Sequence, residues 1–213
     1  MYDNYIEAAS ETNADVNRYI DIALNDEEFR GMLVKEMIGN RKINVYYHSY
    51  IILSEVATVK PDTLACFLWD FASLLEHKNS YHRNYGMDLL SSIAKEVDDE
   101  TLNKIIPSFC KLLYDEKIST RKYCITYSMR IINAKPNLSD FIVFSIIESF
   151  KEPEKNPKHR WLLIKEFIRL IEDTGLPLNN KLLEFFHSAI NEAPSKAHVK
   201  TIKKLITTSS SKD

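Results

Sequence analysis

The chain has 213 residues, 45% of them apolar and 27% charged, and a net charge of -2. That composition suits a soluble globular fold with ample material for a core, and the near-neutral balance gives no whole-chain argument for nucleic acid or a membrane surface. No run of about 18 apolar residues occurs, which excludes a spanning helix, and only four glycines are present, too few for the turns of a sheet protein.

The N-terminal stretch MYDNYIEAASETNADV is polar and acidic. It lacks a basic leader followed by an apolar run, so no signal peptide is expected. A helix around 13–24 is expected next, capping one end of the fold. EEFRGMLVKEMIG (27–39) and VYYHSYIILSEVA (45–57) then read as a helical pair.

Residues 61–97 and 99–135 align at a shift of 38 with eight identities, among them Phe71 with Phe109, Arg83 with Arg121 and Tyr85 with Tyr123. Apolar positions 64, 67, 68, 71, 74 and 75 match 102, 105, 106, 109, 112 and 113. That spacing is one face of a helix. A second apolar set follows in each copy, so the unit is two helices and a turn. FIVFSIIESF with WLLIKEFIRLI, and KLLEFFHSAI with HVKTIKKLI, continue the pattern. The expectation is an all-α chain of about five helical hairpins in one domain over 1–206, with a disordered tail at 207–213. Pro61, Asp98-Asp99 and Pro177 with Asn179 mark helix starts. Pro107 should kink or shorten its helix. Trp69 shares a stripe with Ala65 and Ala72 that should pack against the neighbouring unit. Cys66, Cys110 and Cys124 lie in apolar helical patterns without a Cys-x-x-Cys pair, which predicts buried thiols in a reducing, cytoplasmic setting.

The period of 37 to 39, the two-helix unit and the arginine near the start of each second helix, at Arg83, Arg121 and Arg160, resemble the HEAT-repeat (armadillo-like) family of α-solenoids over roughly 26–206. Asp115 stands six residues before Arg121, as that family's turn asks. His82, Thr120 and His159 stand where the family has Val. The resemblance implies an αα-superhelix with first helices on the convex side and second helices on the concave side. It says almost nothing about function.

Charge is segregated along this pattern. The second helices with their entry turns (41–58, 78–95, 117–132, 155–171 and 195–206) hold 18 Lys and Arg and three acids, Glu55, Asp88 and Glu166. If second helices line the concave side, the groove is basic and attracts polyanions. Lys122, Arg130, Lys165 and Arg169 are the expected groove residues, with Lys200, Lys203 and Lys204 extending the patch. His82 and His159 should face solvent at its rim and help hold an anion. Arg83, Arg121 and Arg160 are expected to tie turns together.

Chemistry-bearing motifs are scarce. No Gly-rich phosphate loop, His-Glu-x-x-His or Cys/His cluster occurs, so no metal or other cofactor is expected. His77 and His82 straddle a turn and are not expected to act together. Bacterial alkylpurine DNA glycosylases are similar in being HEAT-like solenoids with a basic concave face, and they pair Trp and Asp one turn apart beside an Arg. Here Trp161 is followed at four by Lys165, and Asp88 by the approach of Arg130 gives a partial constellation. The reading is a non-enzymatic binding scaffold whose basic groove takes a protein partner or acidic segment. The alternative is a nucleic-acid-binding HEAT-like protein related to those glycosylases.

Overall fold

Local sequence sets the helix starts. In the computed structural model, which describes residues 4–154 and 156–210 (backbone alone at 208–210), four N-cap side chains accept a backbone N–H of the first turn: Asp26 from Phe29, Asn79 from Tyr81, Asn156 from Lys158 and Asn179 from Leu182. Asp98 accepts from Thr101 in the same way at 2.8 Å. Each satisfies one N–H that the helix itself leaves without a partner. Gly175 closes a long helix in the left-handed region at φ 64°, and its N–H bonds Ile171 at 3.1 Å, a conformation that costs glycine least.

All regular structure among the described residues is helical. The chain divides into two compact units at 109/110. The first holds α1 (Tyr5–Ala9), α2 (Asn17–Asn25), α3 (Glu27–Gly39), α4 (Ile43–Val59), α5 (Leu68–Ser73), α6 (Ser80–Ile93) and most of α7 (Asp99–Lys111). The second holds α8 (Ile118–Ala134), α9 (Ser139–Ser149), α10 (Pro157–Thr174), α11 (Asn180–Asn191) and α12 (Lys196–Ser210).

In the first unit α3 packs on α4, α5 on α6, and α4 on α6, while α1 and α2 both lie against α4. The expected N-terminal helix therefore begins at Asn17 rather than 13 and has a short helical companion. Tyr5 anchors that companion: its ring meets Tyr19 and Phe29 edge-on, and its hydroxyl bonds Ser49 at 2.9 Å. The hairpin helix expected at 61–75 is broken. Residues Pro61–Phe67 and Leu74–Glu76 are 3-10 turns on either side of α5. Proline and the β-branched Thr63 at its start, with Thr63 Oγ1 bonded to the Lys60 carbonyl at 2.7 Å, favour the tighter winding. By contrast α7 runs through Pro107 to Lys111.

In the second unit α10 lies between α8 and α12, and α11 packs on α12. Ile131, Ile146, Phe167 and Phe186 are among its fully buried apolar side chains. α12 continues to Ser210, past the expected end at 206, while the rest of the tail, 211–213, lies outside the described residues.

Two sequence expectations change here. Trp69 is 58% exposed and so is not a packing residue of its stripe. Cys66 is exposed, whereas Cys110 and Cys124 are buried. Gly86 is closely packed against α5 and the turn after it. A Cβ there would lie 2.8 Å from both the Phe71 carbonyl oxygen and Leu74 Cβ, so the glycine is what lets α6 approach this closely.

Candidate binding face

The recurrent arginines come first, because they fix the second helices. Arg83 Nη1 donates to the carbonyls of His77 (2.8 Å) and Lys78 (3.1 Å). Arg121 Nε donates to Leu113 O at 2.9 Å, and Arg160 Nη1 to Phe150 O at 2.9 Å. Arg30 does the same to Ala23 O at 2.7 Å. Each places a positive charge on carbonyls at or just past the end of the preceding helix, where acceptors lack partners and the helix dipole is negative. Within the second unit the guanidinium also reaches one turn further along the chain. Arg121 Nη1 meets Glu154 Oε2 at 2.8 Å and Arg160 Nε meets Glu192 Oε2 at 2.6 Å. These arginines are occupied in tying turns, as their recurrence predicts.

The other basic residues expected in the groove stand on α8, α10 and α12. Arg130, Lys165, Arg169, Lys200, Lys203 and Lys204 are exposed and Lys122 is half-buried. The structure thus brings the seven expected basic residues onto three helices packed in a row. Glu166 of α10 is buried and held by Thr126 Oγ1 of α8 at 2.9 Å and by Arg169 Nη1 at 3.3 Å. That carboxylate is therefore spent inside the layer and adds no negative surface. The helix lengths refine the charge pattern. α8 carries three basic residues and no acid, α12 four and none, while α10 runs on past 171 to include Glu172 and Asp173. In the first unit α4 has one acid and no base, and α6 one of each. The basic character belongs to the second unit. Lys155, one of the 18 basic residues counted on the second helices and their entry turns, lies outside the described residues.

Aromatic rings are interleaved with these cations. On α8 the Tyr123 and Tyr127 rings stack at 5.7 Å and 14°. The Arg130 guanidinium lies 5.2 Å from the Tyr127 centroid and the Lys122 ammonium 5.8 Å from that of Tyr123. Between α10 and α12, Trp161 and His198 meet at 3.9 Å. Spacing of i, i+4 and i+7 for Tyr123, Tyr127 and Arg130 put this stripe within reach of sequence reasoning.

The two rim histidines part company. His159 has a 42% exposed side chain, with Nδ1 3.7 Å from Glu154 Oε1. His82 does not face solvent. It is 3% exposed, stacked on His77 at 4.2 Å and against Tyr46 at 4.6 Å. Burial first, then the neighbouring His77, push its pKa down to about 4 against an opposing hydrogen bond with the Met37 backbone. Its Nδ1 is buried without a hydrogen-bond partner. A neutral, enclosed imidazole cannot hold an anionic partner, so His82 leaves the candidate site. The turn at 77–80 is what brings His77 and His82 together, despite a spacing that would separate them on a continuous helix.

Asp88 and Trp161, the acid and the ring of the glycosylase comparison, belong to different units. Asp88 Oδ2 accepts from Tyr50 Oη at 2.6 Å and Ser54 Oγ at 3.4 Å, and Tyr50 itself stacks on Tyr85 at 3.9 Å and 9°. The carboxylate is 5% exposed and is engaged by these hydroxyls rather than presented to a substrate. In the second unit, an open depression of about 440 Å³ between α9 and α11 is lined in part by Phe144, Phe150 and Phe185. Among the described residues no group of three or more His, Cys, Asp or Glu could hold a metal ion, and no helix is long and apolar enough to cross a membrane.

Comparison of the chain with protein-family models, with curated proteins and with solved structures found no match.

Proposed function

We propose that the chain is a non-enzymatic binding scaffold in which α8, α10 and α12 present a basic face to an anionic segment of a macromolecular partner. The observation that carries this is the run of exposed cations Arg130, Lys165, Arg169, Lys200 and Lys203 on three adjacent helices, with Glu166 turned inward. Clustered like charge costs stability through self-repulsion, and a surface that keeps it gains attraction for polyanions in return. In this reading the helical hairpins form a HEAT-like solenoid whose second helices line the groove, and the three arginines that tie turns hold the repeats in register. An acidic protein segment is the first occupant this charge admits. A nucleic acid is the second, and the Tyr123–Tyr127 stack among the cations favours it.

Retention on immobilised heparin, a generic polyanion, tests the reading. The wild-type chain should be retained at low ionic strength and released as salt rises. Lys165→Glu with Lys200→Glu and Lys203→Glu, at exposed positions, should elute early while keeping the wild-type helical circular-dichroism spectrum. Equal retention of the folded variant would remove the basic face from the account.

A further inference from the structure

We infer that the occupant of this face is a single-stranded nucleic acid whose bases extend the Tyr123–Tyr127 stack and whose phosphates meet the cations of α10 and α12; this rests on the anionic-partner reading above. Carboxylates of an acidic peptide would satisfy the lysines but have no π face to offer the tyrosines. A duplex keeps its bases stacked inside and meets a protein with phosphates and groove edges. Unstacked bases are what exposed aromatic rings among basic residues recognise, and the contact is tolerant of sequence because every base has a π face.

The geometry suits that use. Tyr123 is 38% exposed and its ring is nearly parallel to that of Tyr127. Arg130 covers the Tyr127 end of the pair at 5.2 Å, and Lys122 stands off the Tyr123 end at 5.8 Å. A base arriving over Tyr123 displaces the Lys122 ammonium, which is then in place for the adjoining phosphate. The position equivalent to Lys122 in α10 is Trp161, 39 residues on, a second ring for the strand to pass. Lys165 and Arg169 lie one turn apart on α10, and Lys200 and Lys203 follow on α12, so cations continue beyond the rings as a strand would require.

Fluorescence anisotropy with three labelled probes at low salt tests this: an RNA of about 12 pyrimidine nucleotides, the same strand in a duplex, and a poly-glutamate peptide of about the same length. Site sizes of this order are usual for a stacking groove. The single strand should bind most tightly. Tyr123→Ala should weaken it by about 10-fold, as expected for loss of one base stack, and Tyr123→Phe should bind within about 3-fold of wild type. Tyr123 is partly exposed, so the alanine variant should fold, and circular dichroism checks that it has. Equal or tighter binding of the duplex or of poly-glutamate would overturn this inference and leave the anionic-partner reading standing. So would a folded Tyr123→Ala variant with unchanged affinity. Failure of all three probes to bind would overturn both.

Discussion

The Arg121 guanidinium joins two points 33 residues apart: its Nη1 lies 2.8 Å from Glu154 Oε2, while its Nε donates to Leu113 O. Both side chains are mostly buried, at 16% and 12% exposure. Arg160 repeats the arrangement with Phe150 O and Glu192. One residue type thus closes the end of its own hairpin and reaches the turn of the next. Removing Arg121 leaves a mostly buried carboxylate without its counter-charge and takes a hydrogen bond from a helix end. Arg121→Ala should cost about 2–3 kcal/mol in urea unfolding, and Glu154→Gln less, since the amide oxygen still accepts. A loss for Arg121→Ala below about 0.5 kcal/mol would mean that the pair is ornamental.

Gly86→Ala exchanges a helix-interior glycine for the best helix former, a gain of roughly 1 kcal/mol at an open site. Here the added methyl would sit 2.8 Å from a backbone carbonyl and from Leu74 Cβ. α5, the turn after it and α6 must separate to admit it, and overpacking of this kind costs about 1–3 kcal/mol. The variant should unfold at a lower temperature than wild type. A higher melting temperature would show that α6 has room to move.

Stability should fall on the acid side for a traceable reason. His82 takes a proton at about pH 4 in the folded chain, against an ordinary imidazole value of 6.5. The unfolded chain therefore binds that proton more readily. The contribution is fully present above about pH 6.5, declines as pH falls through the interval, and is lost below about 4, with a limit of roughly 3 kcal/mol. His82→Phe keeps a ring against Tyr46 and His77 and should flatten the stability profile between those pH values. An unaltered pH profile in the variant would assign the acid sensitivity to other groups.

Trp69 offers the opposite case. A tryptophan 58% exposed on α5 gains little from the core, so Trp69→Ala should change unfolding free energy by no more than about 0.5 kcal/mol. A loss above about 2 kcal/mol would show that the indole packs as its stripe suggests.

The contrast between Trp69 and the three arginines shows what the sequence made legible. Periodicity is a long-range average, and the 38-residue repeat carried helix order and the tying role of Arg83, Arg121 and Arg160. Single positions depend on where a chain turns. His82 reads as solvent-facing because a polar residue stands where the family has Val, yet the His77 turn folds a second imidazole over it. α10 looked more basic than it is because its helix runs on to Gly175, taking in Glu172 and Asp173. The basic residues of the candidate face were legible from charge counting by helix. The aromatic stripe of α8 was not, because Tyr123 recurs with the repeat as the match of Tyr85, whereas its stacking partner Tyr127 has no counterpart tyrosine at 89.

The salt dependence of single-stranded RNA binding tests the central claim most directly. Anisotropy titrations from about 50 to 200 mM salt should give log Kobs falling linearly with log salt, at about 0.7 per phosphate neutralised. The slope should shrink by about 2 when Lys165→Glu, Lys200→Glu and Lys203→Glu are combined, with the fold unchanged. Affinity independent of salt, or a slope the same in variant and wild type, would contradict a polyanion held by the α8, α10 and α12 face.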